Sequence, residues 1–206
     1  MIDVYRGSVN SWECDENRHL NVRYFTEKVW EGMAHVAAEI GMPAMFSPRA
    51  QSVLRPIEMH MRFLKELHAG AGLTIRAGTS SIGDRAATLF FEILHNDGTP
   101  AATFTILTAN IDPHTGAPLL WEKASISALE SLACNIPAHG APRSIDMSRP
   151  PDHNVNRARA DALNVPTSGR YAVWPQQCDA FGTMLPQWFI GRISDSMANV
   201  RARQMG

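Results

Sequence analysis

Asp15, Asn17 and His19 stand at i, i+2 and i+4, directly before a segment that reads as a helix. In an extended loop alternate side chains project to one side, so this spacing predicts three polar groups facing one pocket. The helix N-terminus beside them offers free N–H groups and the positive end of the helix dipole. Together these suit acyl chemistry. A carboxylate acts as base or nucleophile, and the N–H groups stabilise the oxyanion forming on an acyl carbonyl. The same residues have plain structural uses, a carboxyl or amide as helix cap and a histidine as a hydrogen-bonded side chain, and spacing alone leaves both readings open.

The elements that must position these groups follow from hydrophobic periodicity. Residues 4–9 are β-prone. Asn21 can cap a helix over 22–40, whose buried stripe is Phe25, Val29, Met33, Val36, Ala37 and Ile40, stopped by Gly41 and Pro43. Four strand-like segments follow at 52–67, 73–80, 86–95 and 101–111, each alternating apolar and polar residues. Glycine-bearing turns separate them, including Asp97-Gly98 between two alternating runs. Residues 121–134 read as a short amphipathic helix. The order gives an α+β fold, and a curved antiparallel sheet wrapped round the long helix would bury a helix that is apolar on more than one side.

Residues 136–170 break the pattern, with prolines at 137, 142, 150, 151 and 166 and five arginines, and read as a linker or an extended arm. Beyond them the chain repeats itself at an offset of 164 residues: Cys14-Asp15 falls on Cys178-Asp179, Tyr24-Phe25 on Trp188-Phe189, Met33-Ala34 on Met197-Ala198. The expected organisation is therefore a first unit at 1–135, a linker at 136–170, and the first strand and helix of a second unit at 171–206. A full second unit would need roughly 90 further residues, which gives meaning to a length of about 1.4 domains. Alone, the second helix would expose Trp188, Phe189, Ile193 and Met197, so it should pack on the first unit, on another chain, or on a continuation of this one.

Composition removes other classes. The net charge of −1 gives no pull toward nucleic acid or an anionic membrane, and no apolar run is long enough to cross a bilayer. Cys14, Cys134 and Cys178 form no CxxC pair, the N-terminus has no signal-peptide pattern, and a cytoplasmic, reducing location is expected. Cys14 and Cys178 read as small buried side chains rather than nucleophiles.

The stretch from Trp12 to Tyr24 resembles the signature of hotdog-fold acyl-CoA and acyl-carrier-protein thioesterases, including the 4-hydroxybenzoyl-CoA thioesterase-like group. Asp15, Asn17, His19, Asn21 and Tyr24 sit at matching positions, and Arg18 replaces the glycine that often precedes the histidine. Residues 61–72 are similar to the family's first long strand and turn. The resemblance covers about residues 3–115. It implies a hotdog fold, paired units with sites at their interface, and a role for each matched residue: Asp15 as general base or nucleophile, Asn17 and His19 positioning water or the carbonyl, Glu66 as a further acidic catalytic residue, and Asn21, Val22 and Tyr24 contacting substrate. No metal or redox cofactor is implied; coenzyme A or a carrier-protein phosphopantetheine would arrive as part of the substrate. The implied partners are that substrate and a further copy in a homo-oligomer.

The second unit keeps Asp179 and Gly182 but has Phe181, Thr183 and Leu185 where the first has Asn17, His19 and Asn21. It reads as a degenerate half that completes a pseudo-dimer. Two other functions compete with thioester hydrolysis: a hotdog enoyl-CoA hydratase or dehydratase, whose usual Asp-to-His spacing is five rather than four, and a non-catalytic acyl-binding or assembly module. Met33, Met42, Met45 and Phe46 are candidates for an adaptable acyl pocket or for plain core.

Overall fold

The computed structural model describes residues 1–143, 145, 152 and 154–204. Its first unit contains β1 (Ile2–Ser8), α1 (Val22–Glu39), β2 (Val53–Phe63), β3 (Gly72–Ile82), β4 (Ala86–His95), β5 (Pro100–Ile111) and α2 (Lys123–Ser131). The five strands form one antiparallel sheet in the order β1-β3-β4-β5-β2. This is the hotdog architecture expected from the sequence, with the sheet curved round α1.

Local chemistry sets the boundaries of α1. Asn21 caps it, its side-chain oxygen accepting the Arg23 N–H at 2.9 Å, and Gly41 ends it with φ of 86°, a conformation glycine adopts without strain. Phe25, Val29, Met33 and Val36 point into the concave face of the sheet and meet Leu89, Phe91, Ile93, Phe104 and Ile106, all essentially without exposure. The alternation of β4 sends Phe90 to the convex face, where the segment around Ile136 and Gly140 covers it. That segment is anchored by Arg62 donating to the Ala141 carbonyl at 2.8 Å and by a His139–Glu92 contact at 2.5 Å. The start of the proline-rich stretch is thus an arm lying on the sheet. Pro150 and Pro151 lie outside the described residues.

Beyond the arm come α3 (Arg157–Ala162) and α4 (Pro186–Gln204), and α4 packs antiparallel along α1. The Arg23 guanidinium lies 3.5 Å from the centroid of the Trp188 ring, and Asn21 donates to Ser194 Oγ at 3.4 Å. Burial at this interface pushes the Glu27 carboxyl upward, opposed by the Arg23 guanidinium beside it. One side of α4 is thereby covered while Phe189 and Ile193 stay 57% and 61% exposed. The strand expected at the start of the 171–206 unit is absent: residues 171–174, ahead of the 3-10 turn at Pro175–Gln177, form no strand, and neither do residues 165–170. In the first unit β1 is held by β3, and no described strand offers residues 165–174 that ladder. Among the described residues no helix is long and apolar enough to cross a membrane.

Candidate active site

A short loop between β1 and α1 carries the sequence-predicted residues. A 3-10 turn at Ser11–Glu13 leads into it, and a bridge between Cys14 and Leu20 closes it. The Asp15 N–H donates to the His19 carbonyl at 3.0 Å, and the Arg18 N–H to the Asp15 carbonyl at 2.9 Å. The loop is therefore a tight turn rather than an extended run. Asp15 and His19 converge because they face each other across the turn, while Asn17 sits exposed at its apex. Asn17 contributes through its backbone, whose N–H donates to Asp15 Oδ1 at 2.9 Å.

Arg18 takes the left-handed conformation, φ 65°. A residue with a Cβ is strained there by about 1–2 kcal/mol, and the second unit places Gly182 at the matching position with φ of 80°. Arg18→Gly is expected to raise unfolding free energy by about 0.5–1 kcal/mol, less than the full strain because glycine also frees the unfolded chain. The check is a higher urea midpoint at unchanged slope.

His19 Nδ1 lies 3.4 Å from Asp15 Oδ2, and His19 Nε2 lies 3.7 Å from Glu66 Oε1. Glu66 in turn faces His68 Nε2 at 3.7 Å, and His68 Nδ1 contacts the Arg18 carbonyl at 3.1 Å. The structure thus brings Asp15, His19 and Glu66 into one row and adds His68, which a His19–His68 bridge joins to the loop from the segment between β2 and β3. Asp15 is mostly buried and Glu66 is exposed, so the row runs from protein to solvent.

The first turn of α1 adjoins it. The Arg23 N–H is taken by the Asn21 cap, and the Tyr24 and Phe25 N–H groups both donate to the Asn21 carbonyl. Among the described residues the Val22 N–H has no acceptor, which leaves it as the first-turn donor open to an oxyanion. Asn21 serves as cap and α4 contact, and the Tyr24 ring packs under the Arg23 guanidinium.

Beneath the loop lies a feature the sequence did not announce. Lys28 Nζ and Glu13 Oε1 form a buried ion pair at 2.8 Å; Lys28 also donates to Tyr5 Oη and the Ser8 carbonyl, and Glu13 Oε2 accepts the Asn10 N–H. Burial by itself lowers an ammonium pKa, but the Glu13 hydrogen bond and the nearby Tyr5 and Glu13 charges outweigh it, so the Lys28 pKa is raised.

The loop recurs before α4, bond for bond, at the offset of 164 residues. A 3-10 turn at Pro175–Gln177, a Cys178–Met184 bridge, an Asp179 N–H to Thr183 carbonyl bond and a Leu185 N–H to Gln177 carbonyl bond all have partners in the first loop. Arg192 and Gln177 replace the Lys28–Glu13 pair at the same 2.8 Å. The chemistry differs. Asp179 accepts from the Phe181 and Thr183 N–H groups, both at 2.9 Å, and from Arg55 of β2 at 3.1 Å. Pro186 stands where Val22 stands in the first unit and has no N–H to offer.

The family profile of the thioesterase-like superfamily matches residues 9–140. The chain belongs to that superfamily. A curated relative, the L-carnitine dehydrogenase/betainyl-CoA thioesterase of Agrobacterium fabrum, is 25% identical over 129 residues, 63% of this chain and 26% of the relative. The chain thus spans about a quarter of that relative's length. Among solved structures, a Staphylococcus aureus protein in complex with CoA has TM-score 0.61 and 19% identity, covering 70% of this chain and 96% of that one. A Thermus thermophilus thioesterase complexed with coenzyme A and Zn has TM-score 0.53 and 17% identity, covering 67% and 95%. These two likenesses show the fold of this superfamily member.

Proposed function

We propose that the chain hydrolyses an acyl-CoA thioester at Asp15. The observation that carries this reading is the Asp15 carboxylate held against His19 at 3.4 Å, next to the open Val22 N–H at the start of α1. The carbonyl oxygen of the thioester accepts the Val22 N–H. Asp15 removes a proton from water as the water oxygen attacks the carbonyl carbon, the C–S bond breaks, and the departing thiolate takes up the proton. His19 orients the carboxylate, Glu66 orients His19 from the solvent side, and Asn21 and Tyr24 shape the entry beside the first turn. The CoA found with the Staphylococcus and Thermus structures, and the betainyl-CoA thioesterase name of the curated relative, support CoA over a carrier protein as the thiol. Pairing of further copies belongs to the same reading, because β2 is an open sheet edge.

The test is thiol release from a panel of short, medium and aromatic acyl-CoAs and from acyl-carrier protein. Turnover of one or more acyl-CoAs is expected. Hydration of enoyl-CoA without thiol release would replace the hydrolase reading, and inertness toward every thioester would reduce the loop to a structural role.

A further inference from the structure

A cavity of about 430 Å³ lies between the two units, on the Asp179 side. Its walls come from Trp30 of α1, Met59 and Met61 of β2, and Met184, Phe189 and Ile190 of the second unit. Arg55 and Asp179 stand together at its polar end. The methionines offered by the sequence as pocket residues are elsewhere: Met33, Met42 and Met45 are buried in the core of the first unit, and Phe46 stacks edge-on against Trp30.

The carboxylate is kept as Asp179, but the groups around it are altered. Thr183 replaces His19, Leu185 replaces Asn21, and Pro186 removes the N–H that Val22 offers. Asp179 already accepts three hydrogen bonds, one of them from a guanidinium, so little of its lone-pair capacity is left to take a proton or attack a carbon. The cavity retains what binding needs, flexible thioether side chains and aromatic rings that adapt to an apolar chain.

We propose that this cavity is a second acyl site, which holds the acyl chain of an intact thioester without cleaving it. Arg55 lines the cavity, spends Nη1 on Asp179 and keeps 25% of its side chain exposed, so its guanidinium has donors to spare. A neutral thioester carbonyl can accept from one of them. A free carboxylate would meet Asp179 and Glu58, both on the lining, with one guanidinium among three negative charges. The occupant is therefore the thioester rather than the released acid. The choice of acyl-CoA rests on the hydrolytic reading above.

The probe is the decanoyl-CoA analogue with a methylene in place of the thioester sulfur, which keeps the carbonyl and cannot be hydrolysed. It is titrated calorimetrically into the full chain and into Met59→Trp and Met184→Trp, two independent ways of filling the cavity. Each variant is expected to weaken binding at least about tenfold or to remove one of two binding equivalents, with thiol release from acyl-CoA within about twofold of the parent. Decanoate is expected to bind at least about tenfold more weakly than the analogue. Unchanged binding in both variants overturns the site. Decanoate binding as tightly as the analogue overturns the thioester as occupant. Loss of thiol release together with binding in both variants makes the cavity hydrolytic and overturns the non-cleaving role. Binding with no thiol release from the parent chain supports this site and counts against Asp15 alone.

Discussion

Asp15→Asn is expected to lower kcat/KM for a hydrolysed acyl-CoA by at least about 100-fold, a loss of roughly 2.7 kcal/mol of transition-state stabilisation. The amide keeps the shape of the side chain and can still accept the Asn17 N–H that Asp15 accepts at 2.9 Å, so the turn should persist. What it lacks is the ability to take a proton from water or to attack a carbonyl. The loss should therefore fall on kcat more than on KM. His19→Ala should cost less, because it removes the group that orients the carboxylate and not the carboxylate itself. Asp179→Asn is the internal control. Its carboxylate is occupied by two N–H groups and Arg55, so turnover should stay within about twofold of the parent. If Asp179→Asn abolished turnover while Asp15→Asn spared it, the roles of the two loops would be reversed.

The fold was legible because its signals are local. Asn21 and Gly41 bracket α1, and the alternation of Leu89, Phe91 and Ile93 against Phe90 sets the inward face of β4; these depend on neighbours a few residues away. The site was legible in membership more than in geometry. Asp15 and His19 meet, but through a tight turn closed by backbone bonds, which the i, i+2, i+4 argument did not foresee because it assumed an extended chain. A non-glycine residue such as Arg18 in the left-handed region hides the turn that a glycine would have advertised. His68 and Arg55 were invisible for a different reason. Each acts on a group some 50 or more residues away, and only the folded sheet brings them together. The repeat was readable from side-chain identity at a fixed offset. The differences between the two loops were half readable, since Thr183 and Leu185 are evident substitutions while the N–H missing at Pro186 matters only once Val22 is seen to carry the open donor.

Lys28→Met is expected to cost about 3–5 kcal/mol of stability, because it strips the partner from a buried carboxylate. Glu13 and Lys28 side chains are 10% and 4% exposed, and the pair bonds at 2.8 Å, so water cannot replace the lost ammonium. With the Lys28 pKa raised, the pair is intact through the neutral range; its contribution is present below the ordinary lysine value of 10.5 and lost as pH rises through the folded value. The urea midpoint of Lys28→Met should fall steeply at pH 7. Replacing both partners, Glu13→Leu with Lys28→Met, should recover much of that loss, since two apolar side chains bury no unpaired charge. The chain supplies a second solution in Gln177 and Arg192, which occupy the same positions under the second loop at the same distance. Glu13→Gln with Lys28→Arg should therefore fold with a smaller deficit than either single change, since Arg192 there also reaches the Ala172 carbonyl, the counterpart of Ser8. Equal loss in the double and single variants would show that the two positions act independently, and the ion pair would not be what fixes the floor beneath Asp15.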